Sequence, residues 1–75
     1  MNANDRKELA KAVALLQEAQ GILETLADAE QEKFDNMSEG LQQGERGQAI
    51  EAAAQALADG KESVGSALET LENIE

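Results

Sequence analysis

The chain is 75 residues long, 41% hydrophobic and 29% charged, with sixteen acids against six bases and a formal net charge of −10. It contains no His and no Cys, which excludes a disulfide framework, a structural zinc site and any hydrolase triad needing an imidazole or a thiolate. The length fits one small domain, and the acidic balance disfavours direct binding to DNA, RNA or an anionic membrane.

A compact chain of this size hides roughly 7,000 Å² on folding. With about 60% of that apolar, the gain is about 105 kcal/mol, against an ordering cost of about 110 kcal/mol. The balance is near zero, and fourteen of the hydrophobic residues are only Ala. With no covalent or metal staple available, self-association is the expected remedy.

The chain opens Met1-Asn2-Ala3-Asn4-Asp5-Arg6-Lys7-Glu8, without the pattern of a secretory leader, and holds no run of ~20 apolar residues. A cytoplasmic protein that neither crosses nor binds membranes is the expectation. Asn4 is a candidate N-cap for a first helix over about 5–34, with Asn2 the alternative because Asp5 follows it by three. Leu9, Leu16 and Leu23 recur at seven, with Ala12, Ala19 and Leu26 between them and Val13 and Ala27 widening the stripe. Glu18, Glu24, Asp28 and Glu32 fall on the other side. Leu15 and Ile22 lie at the stripe's edge, where a single partner helix does not need them, and are the candidate oligomer interface. Glu30 takes the next seven-residue position after Leu23, to be met by Lys33, Arg46, a base of another chain or solvent.

Asp35 to Glu45 reads as a structured turn. Ser38 can cap one short helical turn, Glu39-Gly40-Leu41-Gln42-Gln43, and Gly44 and Gly47 permit left-handed backbone. Phe34, Met37 and Leu41 are expected to fold over the end of the hairpin as an apolar plug, with Asp35 and Glu39 beside them. A second helix is expected over about 46–73. Ile50, Leu57, Val64 and Leu71 recur at seven; Ala53 or Ala54, Gly60 or Lys61, Ala67 or Leu68, and Ile74 fill the alternate positions. Gly60 and Gly65 are read as sites of close helix approach or a local bend. Glu51, Asp59, Glu62 and Glu69 lie on the far side, with Glu72 and Glu75 near the end.

None of the five Ser and Thr hydroxyls has a His to serve as its base, and a thin hairpin offers little enclosed volume in which to perturb a carboxylate. No catalytic residue, metal ligand or cofactor is expected. Asp35, Glu39 and Gly40 fit a calcium-loop spacing, but Met37 stands at the third position and Arg46 at the twelfth, which removes the bidentate ligand. Gly44-Glu45-Arg46-Gly47 and Gly60-Lys61-Glu62-Ser63 do not complete a phosphate loop. The chemistry that remains is charge. Glu24, Asp28 and Glu32 on the first helix, and Asp59, Glu62 and Glu69 on the second, form acidic rows that can imitate a nucleic-acid backbone toward a basic protein groove.

The middle of the chain, Glu32-Lys33-Phe34-Asp35-Asn36-Met37-Ser38-Glu39-Gly40-Leu41-Gln42 followed by Glu45-Arg46-Gly47, resembles a segment of small helical proteins of bacteriophages and other bacterial mobile elements. Those proteins usually carry Pro where this chain has Ser38, and both residues suit the start of a helical turn. The resemblance implies a phage or prophage origin, a helical hairpin with acidic flanks and residence in a bacterial host cytoplasm. It further implies a role among inhibitors of host machinery such as anti-restriction and anti-CRISPR factors.

The expected architecture is all-α: one domain over residues 1–75, an antiparallel two-helix hairpin with coiled-coil-like packing that dimerises into a four-helix bundle. The expected role is a non-enzymatic protein that binds a host protein with a basic surface. The alternative is an oligomeric scaffolding module.

Overall fold

The computed structural model describes residues 1–74, which form three helices: α1 (Ala3–Asp35), α2 (Glu39–Gln43) and α3 (Glu45–Glu72). α1 and α3 run antiparallel against each other, and the short α2 sits at the closed end. The result is a rod of 58 × 15 × 14 Å with a radius of gyration of 17.1 Å, where a compact chain of this length would have about 11 Å.

The N-cap is Asn2, not Asn4, so α1 begins two residues earlier than expected. Asn2 Oδ1 accepts from the Asp5 backbone N–H at 2.7 Å, and Asp5 Oδ2 accepts from the Asn2 N–H at 3.3 Å. This reciprocal box decides the choice, because the residue three beyond Asn4 is Lys7, which cannot accept.

The seam between the long helices keeps a seven-residue period throughout. On α1 it comprises Leu9, Val13, Leu16, Gln20, Leu23, Ala27, Glu30 and Phe34; on α3 it comprises Gly47, Ile50, Ala54, Leu57, Lys61, Val64, Leu68 and Leu71. The row expected at Ala12, Ala19 and Leu26 is therefore displaced by one residue: Ala19 stays half-buried beside Gln20, but Ala12 is exposed and Leu26 is left 47% exposed. Choosing Val13 and Ala27 carries the same row on to Phe34, the large apolar residue that the closed end needs, whereas Leu26 leads on to Lys33. On α3 the structure selects Ala54, Lys61 and Leu68 from the open pairs. Ile74 lies one step off the seam and is 43% exposed.

The seam is thin. Ala54 and Leu68 are the buried hydrophobics among the described residues, with only 4% and 5% of their surface accessible. Lys61 lays its aliphatic stem along the seam and reaches Glu24 at 3.7 Å. Glu30, half-buried, is met by Lys33 at 2.7 Å, so the base comes from the next turn of its own helix.

Gly21 stands outside this seam, and a Cβ there would meet nothing within 4 Å. Gly21→Ala is expected to stabilise the hairpin by about 0.5–1 kcal/mol through helix propensity alone, read as a higher urea midpoint with an unchanged slope. Gly65 is different in kind: a Cβ there would lie 2.9 Å from the Gln20 side-chain amide, so this glycine does admit close approach of α1.

The bend is built from polar backbone contacts. α1 closes with the Asn36 N–H on the Glu32 carbonyl at 3.0 Å and the Met37 N–H on the Phe34 carbonyl at 3.0 Å. The Ser38 hydroxyl then accepts from the Leu41 N–H at 3.4 Å and caps α2 over the five residues anticipated for it. Gly44 ends α2 and begins α3 in an extended conformation, φ −77° and ψ 171°. No glycine among the described residues has positive φ, so the left-handed role expected of Gly44 and Gly47 is not used. Gly47 is needed for space: a Cβ there would lie 2.6 Å from the Gln42 carbonyl oxygen and 2.7 Å from the Gln42 Cα. The α2 backbone passes directly over the first turn of α3.

Candidate interaction surface

The seam divides the rod into two flanks of opposite character. A position one residue before a seam position is turned by 100° about its helix axis, and one residue after is turned the other way. Because the helices are antiparallel, the "one before" positions of α1 and α3 share one flank and the "one after" positions share the other. The bend verifies this: Lys33 and Asn36, before the seam on α1, line one depression together with Arg46, before the seam on α3.

The first flank is apolar. α1 places Ala12, Leu15, Ala19, Ile22, Leu26 and Ala29 on it, and α3 places Ala49, Ala53, Ala56, Gly60, Ser63 and Ala67. No charge occurs among these twelve. Leu15 is 62% exposed and Ile22 55% exposed. The two interface candidates thus stand with Leu26 in a single line, over a neighbouring strip of small side chains. Sequence reasoning assigned Ala12, Ala19 and Leu26 to the seam, and so missed this continuity. The signal for it was present in the three-and-four spacing of small residues from Ala49 to Ala67.

The second flank is acidic. Glu24, Asp28 and Asp35 of α1 share it with Glu51, Glu62, Glu69 and Glu72 of α3, all exposed. Four of the six acidic candidates therefore come together. The other two do not. Glu32 and Asp59 lie on the outer backs of α1 and α3, two residues past the seam, and so on opposite edges of the rod. Asp59 accepts instead from Gln55 Nε2 at 2.9 Å on its own helix. Glu75 lies outside the described residues. Seven exposed carboxylates in two rows make a negative field along one flank, tempered locally by the Lys61–Glu24 pair.

At the closed end, Phe34 and Met37 are half-buried, whereas Leu41 is 61% exposed. The apolar plug expected of all three is corrected for Leu41. Gln42, not Leu41, turns inward, because its Nε2 donates to the Phe34 carbonyl at 2.9 Å, and Gln48 Nε2 in turn donates to the Gln42 carbonyl at 2.9 Å. That phase of α2 leaves Leu41 facing an open depression of about 630 Å³, with Lys33, Met37, Arg46 and Ile50 around it. Asp35 and Glu39 are exposed, and Asp35 accepts from Gln31 Nε2 at 3.0 Å.

Among the described residues no three His, Cys, Asp or Glu side chains group so as to hold a metal ion, and no helix is long and apolar enough to cross a membrane. No protein-family model, curated protein or solved structure matches the chain.

Proposed function

We propose that this chain is a non-enzymatic interaction protein of phage or mobile-element type, which binds and modulates a basic host protein through its acidic flank. In this reading it self-associates through its apolar flank into a four-helix bundle. The observation that carries the proposal is the segregation itself. Acids placed only for solubility need not avoid one flank, yet here one side of the rod is uncharged over most of its length and the other bears carboxylates from both helices. A homodimer joined through the apolar side presents acidic flanks outward on both faces, an arrangement suited to occupying a groove built for a nucleic-acid backbone. Inhibition of a defence nuclease, of the CRISPR or restriction kind, is the role that fits this chemistry together with the phage-like middle segment.

The test is capture of partners from a bacterial host lysate, followed by titration of the captured partner. Affinity is expected to fall by about tenfold or more between roughly 50 and 200 mM salt, and duplex DNA is expected to compete. Charge reversal of Glu24, Asp28, Glu62 and Glu69 to Lys is expected to abolish the complex while leaving the helical fold intact. A salt-independent complex that survives the reversal would refute the mimic reading. It would instead support the scaffolding alternative, which the uncharged flank favours because that flank needs only another helical surface.

A further inference from the structure

We infer that the apolar flank docks a second copy of this chain in the opposite direction, with α1 lying antiparallel on α1 and α3 on α3, about a dyad between Ala19 and Ile22. The inference deepens the self-association proposed above and rests on it, but not on the acidic flank's partner.

Area is the first argument. The chain exposes 5440 Å², about 1,000 Å² more than the ~4,450 Å² of a compact protein of this mass. A standard stable interface hides about 800 Å² per partner, so one docking event of ordinary size removes the excess.

Charge selects the occupant and its direction. The apolar line of α1 continues at the same seven-residue spacing into Asp5 and Glu8 at the open end and into Lys33 at the bend; Arg46 joins Lys33 there from α3. The flank's own positions therefore carry carboxylates at the open end, where Glu8 also meets Lys11 at 3.5 Å, no charge along the middle, and Lys33 and Arg46 at the bend, where Lys33 also meets Glu30 at 2.7 Å. A copy docked in the same direction about a dyad lays α1 over α3, and so sets Lys33 against Arg46 twice at the bend. A copy docked in the opposite direction sets Lys33 on Glu8 twice.

The side-chain sequence fits that direction layer by layer. Positions that sum to 41 oppose each other across the dyad: Leu15 on Leu26, Ala19 on Ile22, Ala12 on Ala29 and, at the rim, Glu8 on Lys33. Each layer pairs the two alternating positions of a heptad, as antiparallel helices do when knobs enter holes. The seven-residue period of the seam keeps the neighbouring stripe in phase over this length. The small residues of α3 let its pair approach near the short end of the 8–10 Å range of helix spacings.

Two sets of variants test the geometry. A Leu15→Cys, Leu26→Cys protein treated with a short bismaleimide should become covalent dimer, whereas Leu15→Cys alone should remain single-chain. The two copies of residue 15 lie about 16 Å apart along the axis. Both sites are exposed and outside the seam, so the hairpin tolerates them. Glu8→Lys and Lys33→Glu should each weaken self-association roughly tenfold, and mixing them should restore it as a heterodimer, since both rim contacts then pair opposite charges. A monomeric mass for the unmodified protein at ~100 μM would overturn self-association itself. A dimer that cross-links through Leu15→Cys alone, or whose two charge variants do not prefer each other, would overturn only the antiparallel arrangement.

Discussion

Gly47→Ala is expected to destabilise the hairpin by about 2–3 kcal/mol, the upper part of the range for forced overpacking. The added methyl would collide with the Leu41 carbonyl oxygen and lie 2.6 Å from the Gln42 carbonyl oxygen and 2.7 Å from the Gln42 Cα. All three are backbone atoms, so no rotamer change relieves them; α2 must shift as a body. That shift breaks the Gln42–Phe34 and Gln48–Gln42 hydrogen bonds, each 2.9 Å, which tie the bend to both long helices. A domain of this size has about 4–11 kcal/mol of total stability, so the loss is a large fraction. Helix propensity pulls the other way, favouring Ala in the first turn of α3 by about 1 kcal/mol. The sign of the measured change therefore reports on packing directly. Urea unfolding followed by circular dichroism decides it: Gly47→Ala should lower the midpoint where Gly21→Ala raises it. If both raised it, α2 would not be seated over α3.

The contrast between these two glycines marks where the sequence was legible. Periodicity exposed both long helices, because Leu and Ile at sevens survive any choice of neighbour. The five-residue turn was also legible, since Ser38 is followed by Leu41 at the distance a cap requires. The phase of the stripe was less so. Val13 against Ala12 and Ala27 against Leu26 differ by 100°, and Leu26 is the larger apolar residue. Only the closed end, which needs Phe34 rather than Lys33 inward, resolves the choice. The role of Gly47 was hidden for a related reason: a glycine required for close approach and one required for positive φ look the same in a sequence. The acidic candidates were legible one helix at a time. Which of them share a flank depends on how two antiparallel helices are rotated against each other, so Glu24, Asp28, Glu62 and Glu69 converge while Glu32 and Asp59 do not.

Leu15→Glu combined with Ile22→Glu is expected to convert the protein to a monomer and to lower its thermal stability with it. The two side chains are 62% and 55% exposed in the hairpin, and neither belongs to the seam, so the substitutions leave the seam that holds one chain together intact. What they remove is surface available to a second chain. Covering the exposed parts of four such side chains in a homodimer is worth about 4–5 kcal/mol at the usual value for burying Leu or Ile, which corresponds to roughly three decades in the dissociation constant. Four carboxylates placed in the same interface raise the cost further, since each must be stripped of water or left unpaired. The coupling to stability follows from how little the single hairpin buries: with Ala54 and Leu68 as its buried hydrophobics among the described residues, association supplies much of the driving force for order, and the melting temperature should rise with protein concentration in the unmodified chain but not in the variant. Light scattering gives the mass and calorimetry the concentration dependence. An unchanged mass would remove Leu15 and Ile22 from the interface. A halved mass with an unchanged melting temperature would show that the thin seam suffices by itself, and that the apolar flank serves assembly without serving the fold.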